Sequence, residues 1–475
     1  MNTNKEKIHV VWLKRDLRLH DNEAISNALA SNNRVLFLYA FEDTLINDTH
    51  YDERHWNFVK QSLEEINEEL KKHNSQVLVI NSEVVPGFNQ LQNYFQVSGV
   101  FSHQETGLLT TYNRDNDFNR YCRNNSINWI ENSNNGVLRK LLNRDDWFEN
   151  WNEYMQKKQY RFLPKENQLI SKEEIAKISL AFDIPNLTTK TSLIFQKGGT
   201  KTGWIFANYF FTEKPDEYLN HIAKPLKTRT SASRISPYLA WGNLSIRELY
   251  QKTVQLKSEK KNNKYLDVFI SRLRWQAHFI QKFETEHTME EASIHKGFHK
   301  LKKSISEEYQ IAWQTGKTGF PLVDACVRCL NETGYLNFRM RVMLVSFFTD
   351  ILWQPWQDAT SHLSKMLLDF EPGIHFPQLQ LQKLVGETDH HDLRIYNPIK
   401  DNLDNESNLV FIKKWCPELA HLPDQFVHEP YLMGLIEMKF NNFELDKDYP
   451  KPIVDIKKNR KKAMDILWNL KKNHL

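Results

Sequence analysis

The sequence predicts two architectures in series: a parallel α/β domain over residues 1–131 and an all-α domain over residues 201–475, joined by a linker over residues 132–200. Three observations carry this. Short apolar runs recur in the first third of the chain, separated by amphipathic stretches with apolar residues three and four apart, which is the alternation of a parallel sheet with crossover helices. From about Gly203 the helical spacing persists to the end, with hardly a run of strand character. Between the two, periodicity weakens, and NSNNG, PKENQ and IPNLTTKTS supply turn and loop chemistry.

Taken in order, the predicted strands are IHVVWL from Ile8, RVLFLYAF over Arg34–Phe41, QVLVI over Gln76–Ile80, VFS near Val100 and INWI near Ile127. HWNFVKQSLEEINEEL from His55 is an amphipathic helix between the second and third. The loop after the first strand, Lys14–Asn22, lies at that strand's carboxyl end, where open parallel sheets place ligands or partner contacts. It lacks a glycine-rich phosphate fingerprint, and its charges predict a loop that pins the sheet to the second domain rather than one that binds a ligand. WFENWNEYMQKKQYRF in the linker predicts a short helix whose Trp147 and Trp151, four apart, pack on one face. DIKKNRKKAMDILWNLKKNHL predicts an amphipathic terminal helix docked on its own domain.

A chain of 475 residues is too long for one core. Its 63 basic and 59 acidic residues leave a net charge of +4, so a nucleic-acid surface must come from segregation of charge rather than excess. Basic residues collect at KSEKKNNK near Lys257, KGFHKLKK from Lys296 and KKNRKK from Lys457, each readable as a solvated face or a phosphate-tracking surface. Four scattered cysteines, Cys122, Cys326, Cys329 and Cys416, do not make a secreted disulfide framework and point to a reducing cytoplasm. Cys326 and Cys329 sit in VDACVRCL, a predicted buried helix where three-residue spacing serves packing, and no metal site is expected. Met1–Lys7 is polar and no run reaches about eighteen apolar residues, so neither a signal peptide nor a spanning helix is expected.

The stretch with most chemistry runs from Thr318 to Pro398. TGFPLVDACVRCLNETGYLNFRMRVMLVSFFTDILWQPW is an apolar run broken at helical intervals by Asp324, Arg328, Arg339, Arg341 and Asp350. LLDFEPGIHFPQLQLQ then places Asp369, Glu371 and His375 close together, with Pro372 and Gly373 forcing a turn. Buried acids need partners, and Arg339 or Arg341 can supply them. A histidine just past such a turn is either aimed at a ligand or a satisfied core histidine.

TGFPLVDA, TGYLNFRMR and RIYNP, with SASRISPYLAWGNLS from Ser231 and FIKKWCPELAHLP from Phe411, resemble the flavin-binding core of the photolyase/cryptochrome family. VVWLKRDLRLHDN, with Arg15, Asp16, Arg18, Asp21 and Asn22, resembles the start of that family's Rossmann-like antenna domain. The resemblance implies a helical FAD-binding domain, and leaves open a second antenna chromophore of folate or deazaflavin type. It carries Tyr218, Ser233, Ile235, Ser236, Arg272, Gln276, Arg341, Asp369, Glu371 and His375 over as cofactor-binding positions. Ala232 replaces the family's threonine, with Thr230 or Ser231 as compensating hydroxyls. Arg341 and Asp369 align with the pair flanking the isoalloxazine, and Glu371 stands where the family has a second aspartate. His375 aligns with the residue facing the reactive ring nitrogen, to which a histidine can donate a proton.

The resemblance also implies departures. Of three relay tryptophans only the middle one, Trp356, is present; the inner position reads Leu379 and the outer Lys303, with Trp353, Tyr335 or Tyr396 as alternative routes. Where repair enzymes for cyclobutane dimers set a glutamate, an asparagine and two tryptophans against the damaged bases, this chain has Arg272, Phe338, Trp275 and Leu381. Phe338 and Val342 likewise replace the paired histidines of (6-4) photolyases. His375, Trp275 and Trp356 are thus the expected catalytic positions. The expected function is a monomeric, blue-light-activated flavoprotein, foremost a DNA photolyase acting on pyrimidine photoproducts, alternatively a cryptochrome-like photoreceptor without repair. A third reading is a nucleic-acid-binding protein with a vestigial flavin site.

Overall fold

The computed structural model describes residues 5–141, 146–183, 194–213, 215–259, 264–294, 298–299, 301–382, 395–399 and 406–474. The chain forms two compact units: Met1–Tyr209 with Arg234–His287 and Asp369–Ile374, and Phe210–Ser233 with Thr288–Leu368 and His375–Leu475.

In the first unit, β1 (Lys7–Trp12), β2 (Arg34–Phe41), β3 (Val77–Asn81), β4 (Gln96–His103) and β5 (Asn128–Asn132) form one parallel sheet in the order β3-β2-β1-β4-β5. All five lie where the apolar runs predict them. Strands buried on both faces read as continuous apolar runs, and VLFLYAF of β2 is buried throughout. Ile8, Val10, Trp12, Leu36, Leu38, Ile80 and Phe118 form the core on one face. The predicted helix runs over Glu53–Leu70, started by a capping box on Asp52. The short linker helix is Trp147–Gln156, with Trp147 and Trp151 both buried as expected. The Lys264–Thr285 helix also belongs to this unit: the Gln281 amide exchanges hydrogen bonds of 2.8 Å with the Leu138 backbone, and Tyr112 donates to Glu284 at 2.6 Å.

The second unit is helical, with no strand among its described residues. Pro321 opens the Pro321–Thr333 helix and Gly334, at φ 68°, ends it in the left-handed conformation that glycine adopts freely. Cys326 and Cys329 are fully buried in its core and unbridged, the packing role their spacing predicts, and Cys416 is buried with them. Asp324, completely buried, accepts from Thr318 N at 2.8 Å, Thr318 Oγ1 at 2.6 Å, Gly319 N at 3.1 Å and the Tyr449 hydroxyl. Phe338–Ser346 runs into a wide turn over Phe347–Ile351, and Trp356–Met366 follows. The terminal helix, Ile456–His474, docks as expected: Ile456, Ala463 and Leu467 join the core and Asn459 Nδ2 donates to Ile351 O at 2.8 Å.

Candidate functional site

Sheet order reverses between β1 and β4, so their carboxyl ends frame the crevice where such sheets bind ligands. Here the chain itself fills it. Asp16 accepts from Lys14 N at 2.7 Å and lies 2.8 Å from His103 Nδ1. Burial, the largest single influence, pushes Asp16 up, but His103, the Lys14 N–H and Arg18 together hold the carboxyl below its usual range. Arg18 donates to Gly242 O at 2.9 Å, Asn243 Nδ2 donates to Leu17 O at 3.0 Å, and Asp21 receives Arg247 and Ser245. Gly242 has φ 70°, and a Cβ there would fall 2.2 Å from Arg15 O. The loop therefore pins the sheet to residues 240–247, as its charges predict.

Arg15 extends this to a second segment. Its Nη1 donates to Ala240 O and Phe370 O, both at 3.1 Å, and lies 3.5 Å from Glu371 Oε2; Nη2 donates to the Tyr51 hydroxyl at 2.8 Å. The expected partner of Glu371 was Arg339 or Arg341; the structure gives it Arg15 instead, a pairing across most of the chain's length that no local pattern reveals. Burial pushes Glu371 up to about 7, although Arg15 opposes it. The cavities left in the crevice hold 20 and 30 Å³, room for about one water each.

In the same unit, Arg234 is left-handed at φ 54° and Ile235 right-handed, just before the short helix Ser236–Ala240. That succession turns neighbouring backbone N–H groups toward one point, a concavity that suits an anion. Ile235 is buried and Ser236 half-buried. Gly373 packs against Ile280, leaving a Cβ only 3.0 Å from its Cα, so Asp369–Ile374 rests on the Lys264–Thr285 helix. On that helix Arg272, Trp275 and Gln276 share one face by helical spacing; Arg272 is exposed, Trp275 is 50% exposed and Gln276 half-buried.

In the second unit Tyr218 is buried edge-on against Phe210, Ser233 is half-buried, and Arg341 Nε donates to Leu336 O at 2.8 Å. Thr230 and Ser231 both donate to Lys227 O, at 3.1 and 3.0 Å. His375 is buried, with Nε2 3.2 Å from Thr360 O. That carbonyl assigns the proton to Nε2, so the neutral ring has an acceptor at Nδ1 and donates there only as imidazolium.

Trp356, 9% exposed, lines a 310 Å³ cavity with Lys303, Asp350 and Phe298. Lys303 turns inward, donating to Thr349 O at 2.6 Å and standing 4.5 Å over the Trp353 ring, a correction to its reading within a solvated or phosphate-tracking stretch. Arg229 similarly stands 5.5 Å from the Tyr335 ring centre. A cation over either ring opposes loss of an electron from it. Leu379 is buried in the core and Phe338 is 49% exposed. The Leu381 side chain, Arg394 of RIYNP, Lys260–Asn263, Lys296, Gly297 and Lys300 lie outside the described residues. Among the described residues no group of three or more His, Cys, Asp or Glu is arranged to hold a metal ion, and no helix is long and apolar enough to cross a membrane.

Residues 9–140 match the family described as DNA photolyase, and residues 269–469 the FAD binding domain of DNA photolyase. The chain is 25% identical to a deoxyribodipyrimidine photo-lyase of Alkalihalophilus pseudofirmus, covering 98% of both. Its fold superposes on a cryptochrome from Synechocystis with a TM-score of 0.83, at 22% identity over 98% of this chain and 100% of the other. An archaeal photolyase from Sulfolobus tokodaii, solved with two FAD molecules, one implicated in light harvesting, gives 0.77 at 23% identity over 97% and 99%. With the sheet and the helical FAD-binding part both matched, in order, along one chain, the protein belongs to the photolyase/cryptochrome family.

Proposed function

We propose that this flavoprotein is a DNA photolyase acting on pyrimidine photoproducts. The observation that carries the proposal is the outer face of the Lys264–Thr285 helix, where Trp275 stands 50% exposed one turn from the exposed Arg272. An indole left in water forgoes burial worth roughly 2 kcal/mol or more. Beside a cation it offers the stacking face and phosphate partner that unstacked bases use.

Bound FAD supplies blue-light absorption and, when reduced, an electron for cleaving the photoproduct's carbon–carbon bond. The residues that would hold it are Tyr218, Ser233, Ile235, Ser236, Arg272, Gln276, Arg341, Asp369, Glu371 and His375. The concavity at Arg234 and Ile235 fits the pyrophosphate. His375 holds a proton at Nε2 against Thr360 O, Trp275 stacks on a base, and Trp356 stands beside its cavity. In this reading residues 1–131 are the antenna-like domain, 132–200 the linker and 201–475 the cofactor-binding domain. The protein acts as a monomer in the cytoplasm, a compartment supported by four buried thiols without a disulfide.

A photoreceptor without repair is the second reading, favoured by the charge of Arg272 at a position where dimer-repair enzymes carry a glutamate. Reduced protein mixed with single- and double-stranded oligonucleotides bearing defined photoproducts decides between them. Restoration of bases in blue light and not in darkness is the expected result. No repair by protein shown to contain photoactive FAD would favour the receptor. Colourless protein that takes up no FAD would leave only the vestigial nucleic-acid-binding reading.

A further inference from the structure

Arg15 occupies the crevice at the carboxyl ends of β1 and β4, and its guanidinium is committed wholly to the chain. Besides the Ala240 and Phe370 carbonyls, Tyr51 and Glu371, it lies 3.5 Å from Glu105 through Nε and stacks 4.4 Å from the Trp241 ring centre. Arg15, Ala240, Ile280 and Glu371 line one small cavity, so three distant segments converge on this side chain. Glu105 is in turn held by Arg114, which also binds Glu42.

We infer that Arg15 is a positioning residue for the cofactor pocket, holding the Asp369–Ile374 segment, and with it Asp369, in fixed relation to the turn at Arg234–Ala240. The inference rests on the proposed reading of Asp369, Ile235 and Ser236 as flavin contacts. A planar fork of five N–H donors can bond two carbonyls, a hydroxyl and a carboxylate together; a lysine ammonium, with three donors around one nitrogen, cannot span them. Arg18 provides a matched contrast. It is equally buried, comes from the same loop and bonds Gly242 O and Asp21 O, within the pinning of the sheet to the 240–247 turn.

The test compares Arg15→Lys with Arg18→Lys in the full chain, measuring FAD affinity by equilibrium dialysis, visible circular dichroism of the bound flavin, and thermal stability. Arg15→Lys is expected to weaken FAD binding about tenfold or more and to change the flavin dichroism, through loss of charge-assisted bonds. Arg18→Lys is expected to lower stability while leaving both flavin readouts as in the parent. Flavin readouts that follow stability equally in both variants, or an unchanged Arg15→Lys, would overturn the inference.

Tyr51→Phe removes one anchor of the guanidinium without touching its charge, and serves should the lysine variant not fold. It is expected to weaken FAD about two- to fivefold with altered dichroism; no change would count against Arg15. Asp369→Asn separates the two levels. If it leaves FAD affinity and dichroism intact, the reading of this segment as a flavin contact fails. If it disturbs them while Arg15→Lys does not, only the positioning role fails.

Discussion

The Lys14–Asn22 loop and the outer face of the Lys264–Thr285 helix belong to one compact unit and draw on the same residue types, yet they spend them in opposite ways. In the loop Arg15, Arg18 and Asp21 are nearly inaccessible and each is met by named partners. On the helix Arg272 and Trp275 face water. Burying a charge is tolerated only where opposite charges and carbonyls replace its hydration, so the loop is architecture. The helix face has no such enclosure, and its groups remain available to something outside the chain. If this contrast is right, substitutions in the loop should register as stability, and substitutions on the helix as binding.

The largest effect is expected at the Asp21–Arg247 pair, both side chains 2% exposed or less. Burial pushes Asp21 up, but bonds from Arg247 and Ser245 hold it below the usual range. Asp21→Ala leaves the Arg247 guanidinium buried and uncompensated, and should cost about 3–5 kcal/mol in chemical denaturation. A loss below about 1 kcal/mol would mean that water reaches the site and that the loop is less closed than its geometry indicates.

Charges inside the unit also set how stability responds to pH, and the two signs oppose. The depressed Asp16 and Asp21 contribute stability above their unfolded value of 3.8, lost as pH falls through their lower folded values. Glu42 and Glu371 run the other way: burial raises both from 4.5 to about 7, so the folded state binds their protons more tightly. Stability should therefore decline as pH rises between these two values, then level off. Glu42→Gln keeps an oxygen for Arg114, 3.0 Å away, and removes the titration. Urea midpoints measured across that interval should fall less steeply than in the parent; an identical slope would exclude Glu42 as its source.

Gly242→Ala should have a smaller effect, more than about 1 kcal/mol, because the left-handed backbone and the Arg15 carbonyl both exclude a Cβ. Far-UV circular dichroism melts would show it as a lowered midpoint with unchanged helix content.

These predictions also mark how far the sequence was legible. The strands were, because each is an apolar run bounded by turns. The role of Lys14–Asn22 was legible from charge without a phosphate fingerprint. Its partners were not: Arg15 meets residues more than two hundred positions away, and local pattern carries no information about such pairings. The same limit assigned Glu371 to a nearby arginine when a distant one holds it. Lys303 shows the converse failure, since a lysine in a basic stretch looks solvated until Thr349 O and Trp353 are seen beneath it. The left-handed Arg234 left no trace either, because a non-glycine residue with positive φ has no compositional mark.

The smallest effect on stability is expected from Trp275→Ala. A half-exposed side chain, touching His278 and Phe279 at ring distances of 5.4 and 5.6 Å, should change folding free energy by no more than about 1 kcal/mol. Its effect on binding should be larger, because stacking on an unpaired base is worth about 1–3 kcal/mol. Affinity for photoproduct-containing single strands, read by fluorescence anisotropy, should fall by between about fivefold and a hundredfold, with the salt dependence unchanged. Arg272→Ala should instead flatten the salt dependence by about one counterion while weakening damaged and undamaged strands alike. If Trp275→Ala destabilises the fold and leaves DNA affinity intact, the indole is packing rather than platform, and the division between an inner and an outer set of cations in this unit loses its functional half.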